Sequence, residues 1–182
     1  MKILVFALSL VTLVACSKIK TTPKNSKFNQ DAAKYKNTLI INEYCVKGDH
    51  VNELVENSDW FEIYNPTEEE IVIEKWKWSV TDDLHEPDKF FLPEMTIKPK
   101  SYVVVWCDGE DTNGEEIHAS FKLNASGEDI GLFYKDELID AVTYGELLTE
   151  NVSYGRVADG SDEWVTFQRA SIGRANSTSI QL

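Results

Sequence analysis

Alternating apolar and polar positions run through most of the chain after residue 37, and they predict β-strands. Side chains of a strand point alternately to its two faces, so a half-buried strand carries apolar residues at every second position. The predicted strands lie at residues 39–46, 60–64, 71–73, 76–80, 102–107, 130–134, 137–142, 152–155 and 164–167. The parity of the apolar positions changes at Glu74-Lys75, which predicts a bulge or bend, and Lys135-Asp136 predicts a hairpin turn.

Helical patterns are missing from the same part of the sequence. The best candidate, Val51 to Glu56, is polar and too short for a stable helix. Strands spaced by 8–15 residues, with Pro and Gly between them, predict an all-β fold built as an antiparallel β-sandwich. We expect this domain to occupy residues 38–176 and to be followed by a C-terminal tail at residues 177–182.

The first 15 residues predict a signal peptide. Lys2 precedes an almost wholly apolar run of 12 residues, Ile3 to Val14, which is shorter than the ~20 residues that span a bilayer. The run ends in Leu13-Val14-Ala15-Cys16, which resembles the bacterial lipoprotein box. The resemblance implies lipidation of Cys16 and anchoring in a bacterial cell envelope, with the inner or outer membrane left open. The alternative is an ordinary secretory signal with an incidental cysteine.

Charge divides the rest of the chain into two parts. Residues 16–37 are rich in Lys, Asn and Thr, so they predict a flexible tether, and residues 17–37 carry a net charge of +5. Residues 38–182 contain 11 Lys and Arg against 30 Asp and Glu, a net charge of −19. Lysines beside a lipid anchor favour an anionic bilayer by ~1 kcal/mol each, whereas the acidic domain disfavours nucleic acid as a partner.

Two cysteines, Cys45 and Cys107, remain if Cys16 carries lipid. Strand parity places Cys45 on the face of Ile41 and Cys107 on the face of Val105. If both faces point into the core, a disulfide can form, and otherwise the two residues are buried thiols. The sequence leaves both interpretations open.

A series of short segments, taken in order along the chain, resembles the pattern of a known family. The series is Ile41-Asn42-Glu43, residues 60–66, residues 76–83, residues 89–93, residues 102–109, residues 118–123, residues 125–128, Tyr144-Gly145, residues 153–156 and Asp159-Gly160. In this order and spacing the segments resemble the lamin-tail domain family. The resemblance implies an immunoglobulin-like sandwich over almost the whole exported part. Cys45 and Cys107 depart from the pattern expected of bacterial relatives.

The sequence lacks the common catalytic motifs. None of the three histidines has the two-histidine spacing of a zinc protease, and neither a Gly-x-Ser-x-Gly elbow nor a Cys-x-x-Cys pair occurs. We therefore expect no enzymatic activity and no required cofactor. Calcium is the sharper alternative, because acidic turns supply the oxygen ligands that this ion prefers. The candidate ligands are Asp82, Asp83, Asp108, Glu110 and Asp111.

Two functions follow as expectations. The first is a membrane-anchored, non-catalytic binding or scaffold module for an unknown protein or polymer, which recognises its partner through polar loops at residues 47–59, 82–89 and 108–120. The second is a calcium-dependent glycan-binding domain or a hydrolase that acts on envelope or extracellular polymers. Buried tryptophans would favour the first function, and an exposed platform of tryptophans would favour the second.

Overall fold

A computed structural model describes residues 32–147 and 149–182, so the predicted signal peptide and Cys16 lie outside the described residues. The strands are β1 Ile40–Cys45, β2 Asp59–Tyr64, β3 Ile71–Ile73, β4 Trp78–Thr81, β5 Phe90–Phe91, β6 Met95–Ile97, β7 Tyr102–Cys107, β8 Thr112–Asn113, β9 Ile117–His118, β10 Glu128–Tyr134, β11 Glu137–Tyr144, β12 Ser153–Arg156, β13 Trp164–Arg169 and β14 Ile180–Gln181. A short 3₁₀ helix spans Asn176–Thr178.

The strands form a β-sandwich, as predicted. One sheet has eight strands in the order β14-β13-β12-β1-β2-β7-β9-β8, and the second has four in the order β11-β10-β4-β5. Strands β3 and β6 form a separate ribbon. The strand pairs are antiparallel except for β7 and β9, which run parallel. The core fills the space between the sheets and includes Ile41, Ile63, Trp78, Val105 and Leu132, all fully buried.

A β-bulge in β1 sets the direction of the side chains that follow it. Ile41 pairs with Ile63, but the next pair is Glu43 with Glu62, so Asn42 is an extra residue on its strand. Tyr44 consequently points into the main core together with Ile41. Glu43 and Cys45 turn to the outer face of the eight-stranded sheet.

The two turn predictions are confirmed. The parity change at Glu74-Lys75 marks a turn that separates β3 from β4, and these two strands belong to different sheets. Lys135 and Asp136 both have positive φ, at 49° and 64°, and join β10 to β11. Such a pair matches the backbone of a two-residue hairpin turn. The short strands β5, β6, β8, β9 and β14 were not predicted from the sequence.

The domain boundaries differ from those expected at residues 38 and 176. Ala32 is buried, and Tyr35 packs against Trp78 and Tyr134 at ring-centroid distances of 5.0 and 4.4 Å. The folded part therefore already includes residue 32. At the other end β14 pairs with β13, so residues 180–181 belong to the sheet and not to a tail. Within the described residues, no helix is long and apolar enough to cross a membrane.

Candidate functional site

Three polar loops meet at one end of the sandwich, which we call the acidic loop end and define as residues 47–59, 82–89 and 108–120. The Glu53 backbone N–H donates to Glu116 Oε2 at 2.7 Å, which joins the first loop to the third. Ser120 Oγ donates to the Lys89 backbone oxygen at 3.1 Å, which joins the third to the second. The exposed carboxylates of this surface are Asp49, Glu53, Glu56, Glu86, Asp88, Glu110, Asp111 and Glu115.

Beneath these carboxylates lies a buried pair, His118 and Asp108. His118 is completely buried in β9, and its Nδ1 lies 2.6 Å from Asp108 Oδ2. Asn52 Nδ2 donates a second hydrogen bond to the same oxygen at 3.0 Å. The Asn52 side-chain oxygen accepts from the backbone N–H groups of Leu54 and Glu56. The pair thus holds the first loop on the end of the sheet.

The His118–Asp108 pair has the hydrogen bond of a catalytic histidine with its orienting carboxylate. A catalytic histidine also needs its other nitrogen to face a nucleophile or a substrate. His118 Nε2 is buried without a hydrogen-bond partner among the described residues, and Glu53 Oε1 lies 3.5 Å from it. The Glu53 carboxylate has no proton for the histidine to remove, so it is not a nucleophile that His118 activates. The geometry therefore supports a structural role for His118.

The five candidate calcium ligands do not form one cluster. Asp82 makes an ion pair with Lys89, and Asp83 Oδ1 accepts from the His85 backbone N–H at 2.9 Å. Asp108 is committed to His118 and Asn52, whereas Glu110 and Asp111 are exposed. Among residues 32–147 and 149–182, no group of three or more His, Cys, Asp and Glu side chains could hold a metal ion.

The two thiols are free, and both are buried. Cys45 pairs with Trp60, which pairs with Trp106, and these three side chains share the outer face of the eight-stranded sheet. Cys107 points into the core on the opposite face, with β2 between the two cysteines. Two interstrand spacings amount to ~10 Å, which is too far for a disulfide. The parity argument was wrong for Cys45 because the bulge at Asn42 reverses its face.

A second polar cluster is buried on the outer face of the same sheet. Glu43 and Glu62 are completely buried cross-strand partners. Glu43 accepts from Ser153 Oγ at 2.5 Å and from the Ser171 backbone N–H at 3.0 Å. Glu62 accepts from the Gly173 backbone N–H at 2.6 Å. Burial raises the pKa of Glu43 above its ordinary value and the pKa of Glu62 to about 8.

The donors of this cluster come largely from the chain after β13. Asn176 accepts from Asn42 Nδ2 at 3.1 Å and donates to the Arg156 backbone oxygen at 2.7 Å. The Asn176 backbone N–H donates to Asp159 Oδ1 at 2.9 Å. The C-terminal segment is therefore fastened across the outer face of the sheet, where Ala170 packs with Cys45 and both tryptophans of that face.

Arg156 makes an ion pair with Asp140 between the two sheets. Its Nη2 lies 3.1 Å from Asp140 Oδ2, and its Nε donates to the Ile41 backbone oxygen at 2.8 Å. Asp140 also accepts from the Ile41 backbone N–H at 2.7 Å. These bonds tie the two sheets together at the bulge.

An open cleft of about 460 Å³ lies between β11 and β13. Its aromatic lining includes Tyr44, which stacks on Tyr144 and Tyr154 at centroid distances of 5.0 and 5.5 Å. Trp164, half-buried, completes the lining. Trp60, Trp78 and Trp106 are buried, and Trp76 is the exposed tryptophan, at 66%. The five tryptophans therefore form no extended exposed platform.

Sequence reasoning missed the carboxyl pair and the role of His118. Glu62 stands inside the apolar run Trp60-Phe61-Glu62-Ile63-Tyr64, and an acid within such a run signals a buried carboxyl. Nothing comparable marks His118, because its partner Asp108 precedes it by ten residues in a loop.

The Lamin Tail Domain model matches residues 32–146 of the chain. The chain belongs to the lamin tail domain family. Its all-β architecture with two packed sheets is the immunoglobulin-like fold of that family. The lamin-tail match begins at Ala32, the first described residue, and stops before β12, so the C-terminal segment that covers Glu43 and Glu62 lies outside it. A comparison with curated proteins finds no match.

Proposed function

We propose that this lamin-tail protein is a non-catalytic binding module, anchored by a lipid at Cys16 in a bacterial cell envelope. The observation that supports it is the arrangement of the two ends of the sandwich. Strand β1 begins at Ile40, five residues after Tyr35, and ends at Cys45, just before the first loop of the acidic loop end. A chain held by its N-terminus thus presents the exposed carboxylates of the acidic loop end away from the membrane.

The partner that fits the acidic loop end is a basic protein or polymer. The domain has a net charge of −19, and eight exposed carboxylates of the three loops lie on one surface. A partner with clustered Lys or Arg residues relieves their mutual repulsion and is steered toward the surface at low salt. The buried His118–Asp108 pair supplies the rigid support that a recognition surface needs.

The proposed binding surface is tested by neutralising one end of the sandwich at a time. The loop variant combines Glu110→Gln, Asp111→Asn and Glu115→Gln. The matched control combines Glu68→Gln, Glu69→Gln and Glu70→Gln, which are exposed acids at the opposite end. Envelope proteins cross-linked to the acylated chain should be lost from the loop variant and retained with the control. Equal recovery from both variants would contradict recognition by the acidic loop end.

A second candidate function, glycan binding, is favoured by the aromatic cleft beside β11. The half-buried rings of Tyr154 and Trp164 line the cleft and offer apolar surface to the C–H faces of sugars, and Trp164 reports on the cleft. Titration with soluble envelope glycan fragments, with and without calcium, should change the Trp164 fluorescence and should fail in Trp164→Ala. An unchanged spectrum at millimolar fragment would remove this candidate.

A further inference from the structure

The proximal end of the sandwich, where the described chain begins, carries the most exposed large aromatic side chain of the domain. Trp76 is 66% exposed and lies in the turn between β3 and β4. Its φ of 60° is rare for an aromatic residue. Strained positions of this kind persist where the surrounding structure holds them, and they cluster at functional sites. Trp76 packs edge-to-face against Phe91, with ring centroids 5.2 Å apart.

Trp76 and Phe91 lie on the outer face of the four-stranded sheet, where buried Ser79 and Phe133 separate them from Leu138. Phe91 pairs with Ser79, Ser79 with Phe133, and Phe133 with Leu138, so these side chains share one face. Leu138, at the far edge, is 43% exposed. We call Trp76 and Phe91, whose rings are in contact, the Trp76 patch. An exposed tryptophan beside a second aromatic ring offers an apolar surface that a partner or a membrane can contact.

The charges around the patch differ from those of the rest of the domain. The lysines of this end are Lys34, Lys36, Lys75, Lys77, Lys98, Lys100 and Lys135, and the acids are Glu68, Glu69, Glu70, Glu74, Glu94, Asp136 and Glu137. Lys75 Nζ lies 5.5 Å from the centre of the Trp76 ring, and Lys77 pairs with Glu74 at 2.5 Å. In a domain with a net charge of −19, an end where lysines and acids balance is the surface that an anionic bilayer repels least.

The path of the N-terminal segment indicates what contacts the Trp76 patch. Tyr35 packs on Trp78 and Tyr134, and the Lys135 backbone N–H donates to the Lys77 backbone oxygen at 2.7 Å, so residue 35 enters the fold beside the turn that holds Trp76. Only 15 residues, rich in lysine, separate Cys16 from residue 32. A lipid on Cys16 therefore keeps this end of the sandwich close to the bilayer surface.

We propose that the Trp76 patch rests on the lipid surface, with the Trp76 indole in the headgroup region and the lysines around it facing anionic headgroups. Tryptophan favours this region because its ring is apolar and its N–H is polar. The contact fixes the orientation of the sandwich and directs the acidic loop end away from the bilayer. This membrane contact rests on the proposed function, in which a lipid at Cys16 anchors the chain.

The experiment reconstitutes the mature acylated chain into vesicles of equal parts phosphatidylcholine and phosphatidylglycerol with brominated acyl chains. Bromine quenches only tryptophans that reach the lipid, so wild type should show quenching that Trp76→Phe loses. Trp164→Phe, which changes the half-buried tryptophan of the aromatic cleft, should retain the quenching. Quenching that survives in Trp76→Phe, or is absent from wild type, overturns the contact.

The mass of the N-terminal peptide separates this outcome from failure of the anchor. A peptide without the diacylglyceryl group contradicts lipidation of Cys16. An acylated, vesicle-bound chain with unquenched Trp76 contradicts only the membrane contact of the Trp76 patch.

Discussion

Glu43 and Glu62 lie directly opposite each other on neighbouring strands, and both carboxyl groups are completely buried. Two negative charges at this position would repel each other in a medium that screens them poorly. The hydrogen bonds from Ser171 and Gly173 compensate only in part, since both pKa values remain raised. The C-terminal segment is therefore held most firmly when at least one carboxyl is protonated.

Glu62→Gln should make the domain more stable in alkaline solution. The pKa of Glu62 rises on folding from 4.5 to about 8, so its protonated form favours the native state. The stabilisation from protonated Glu62 is complete below pH 4.5 and is lost as the pH rises through about 8. Glutamine resembles the protonated acid, so the variant should exceed wild type by about 3 kcal/mol at about pH 9.

Urea unfolding across the pH range measures this difference. Glu69→Gln, at an exposed position, is the control and should follow wild type at every pH. If Glu62→Gln and wild type lose stability in parallel toward high pH, the protonated state of Glu62 is not what stabilises the domain.

His118→Ala should destabilise the domain by about 3 kcal/mol, because it leaves the Asp108 carboxylate buried without its partner. His85→Ala, in an exposed loop, should change the free energy of unfolding by less than about 0.5 kcal/mol. Denaturant unfolding at neutral pH compares the two variants. Equal stabilities would show that His118 does not support the loops.

Gly127→Ala should be destabilising, whereas Gly145→Ala should be neutral. Gly127 has φ of +104°, and a Cβ there would lie 2.7 Å from the Tyr144 backbone oxygen. Backbone strain at positive φ and steric overlap of the new Cβ both destabilise the variant. We therefore expect its free energy of unfolding to fall by about 2 kcal/mol. At Gly145 a Cβ meets nothing within 4 Å. Thermal unfolding of the two variants tests this contrast, and similar melting temperatures would contradict it.

The native chain should resist alkylation at both buried thiols. Burial raises the pKa of Cys45 to about 12 and also raises that of Cys107, so little thiolate forms. In denaturant without reductant, both should react and appear as two alkylated peptides. A disulfide-linked peptide that contains both residues would contradict the placement of the thiols on opposite faces.

Cys16→Ser should release the protein from membranes or leave its precursor uncleaved, because a hydroxyl does not accept the lipid. Fractionation of cells, followed by the mass of the N-terminal peptide, measures both results. A membrane-bound Cys16→Ser chain with a normally processed N-terminus would contradict anchoring through this residue.

Local patterns in the sequence determined the fold class, most of the strands and the hairpin at Lys135-Asp136. These features depend on alternation within a strand and on turn chemistry, both of which act over a few residues. The order of motifs from Ile41 to Gly160 was sufficient to indicate the lamin tail domain family, which the family match confirms.

Only the tertiary structure decided which side chains meet across long intervals of sequence. One extra residue at Asn42 turned Cys45 away from the core, and the return of the C-terminal segment buried Glu43 and Glu62 on a face that alternation alone assigns to solvent. His118 and Asp108 met because β9 runs parallel to β7. Such contacts depend on strand register and on distant covering segments, whose positions the local pattern of apolar residues does not contain.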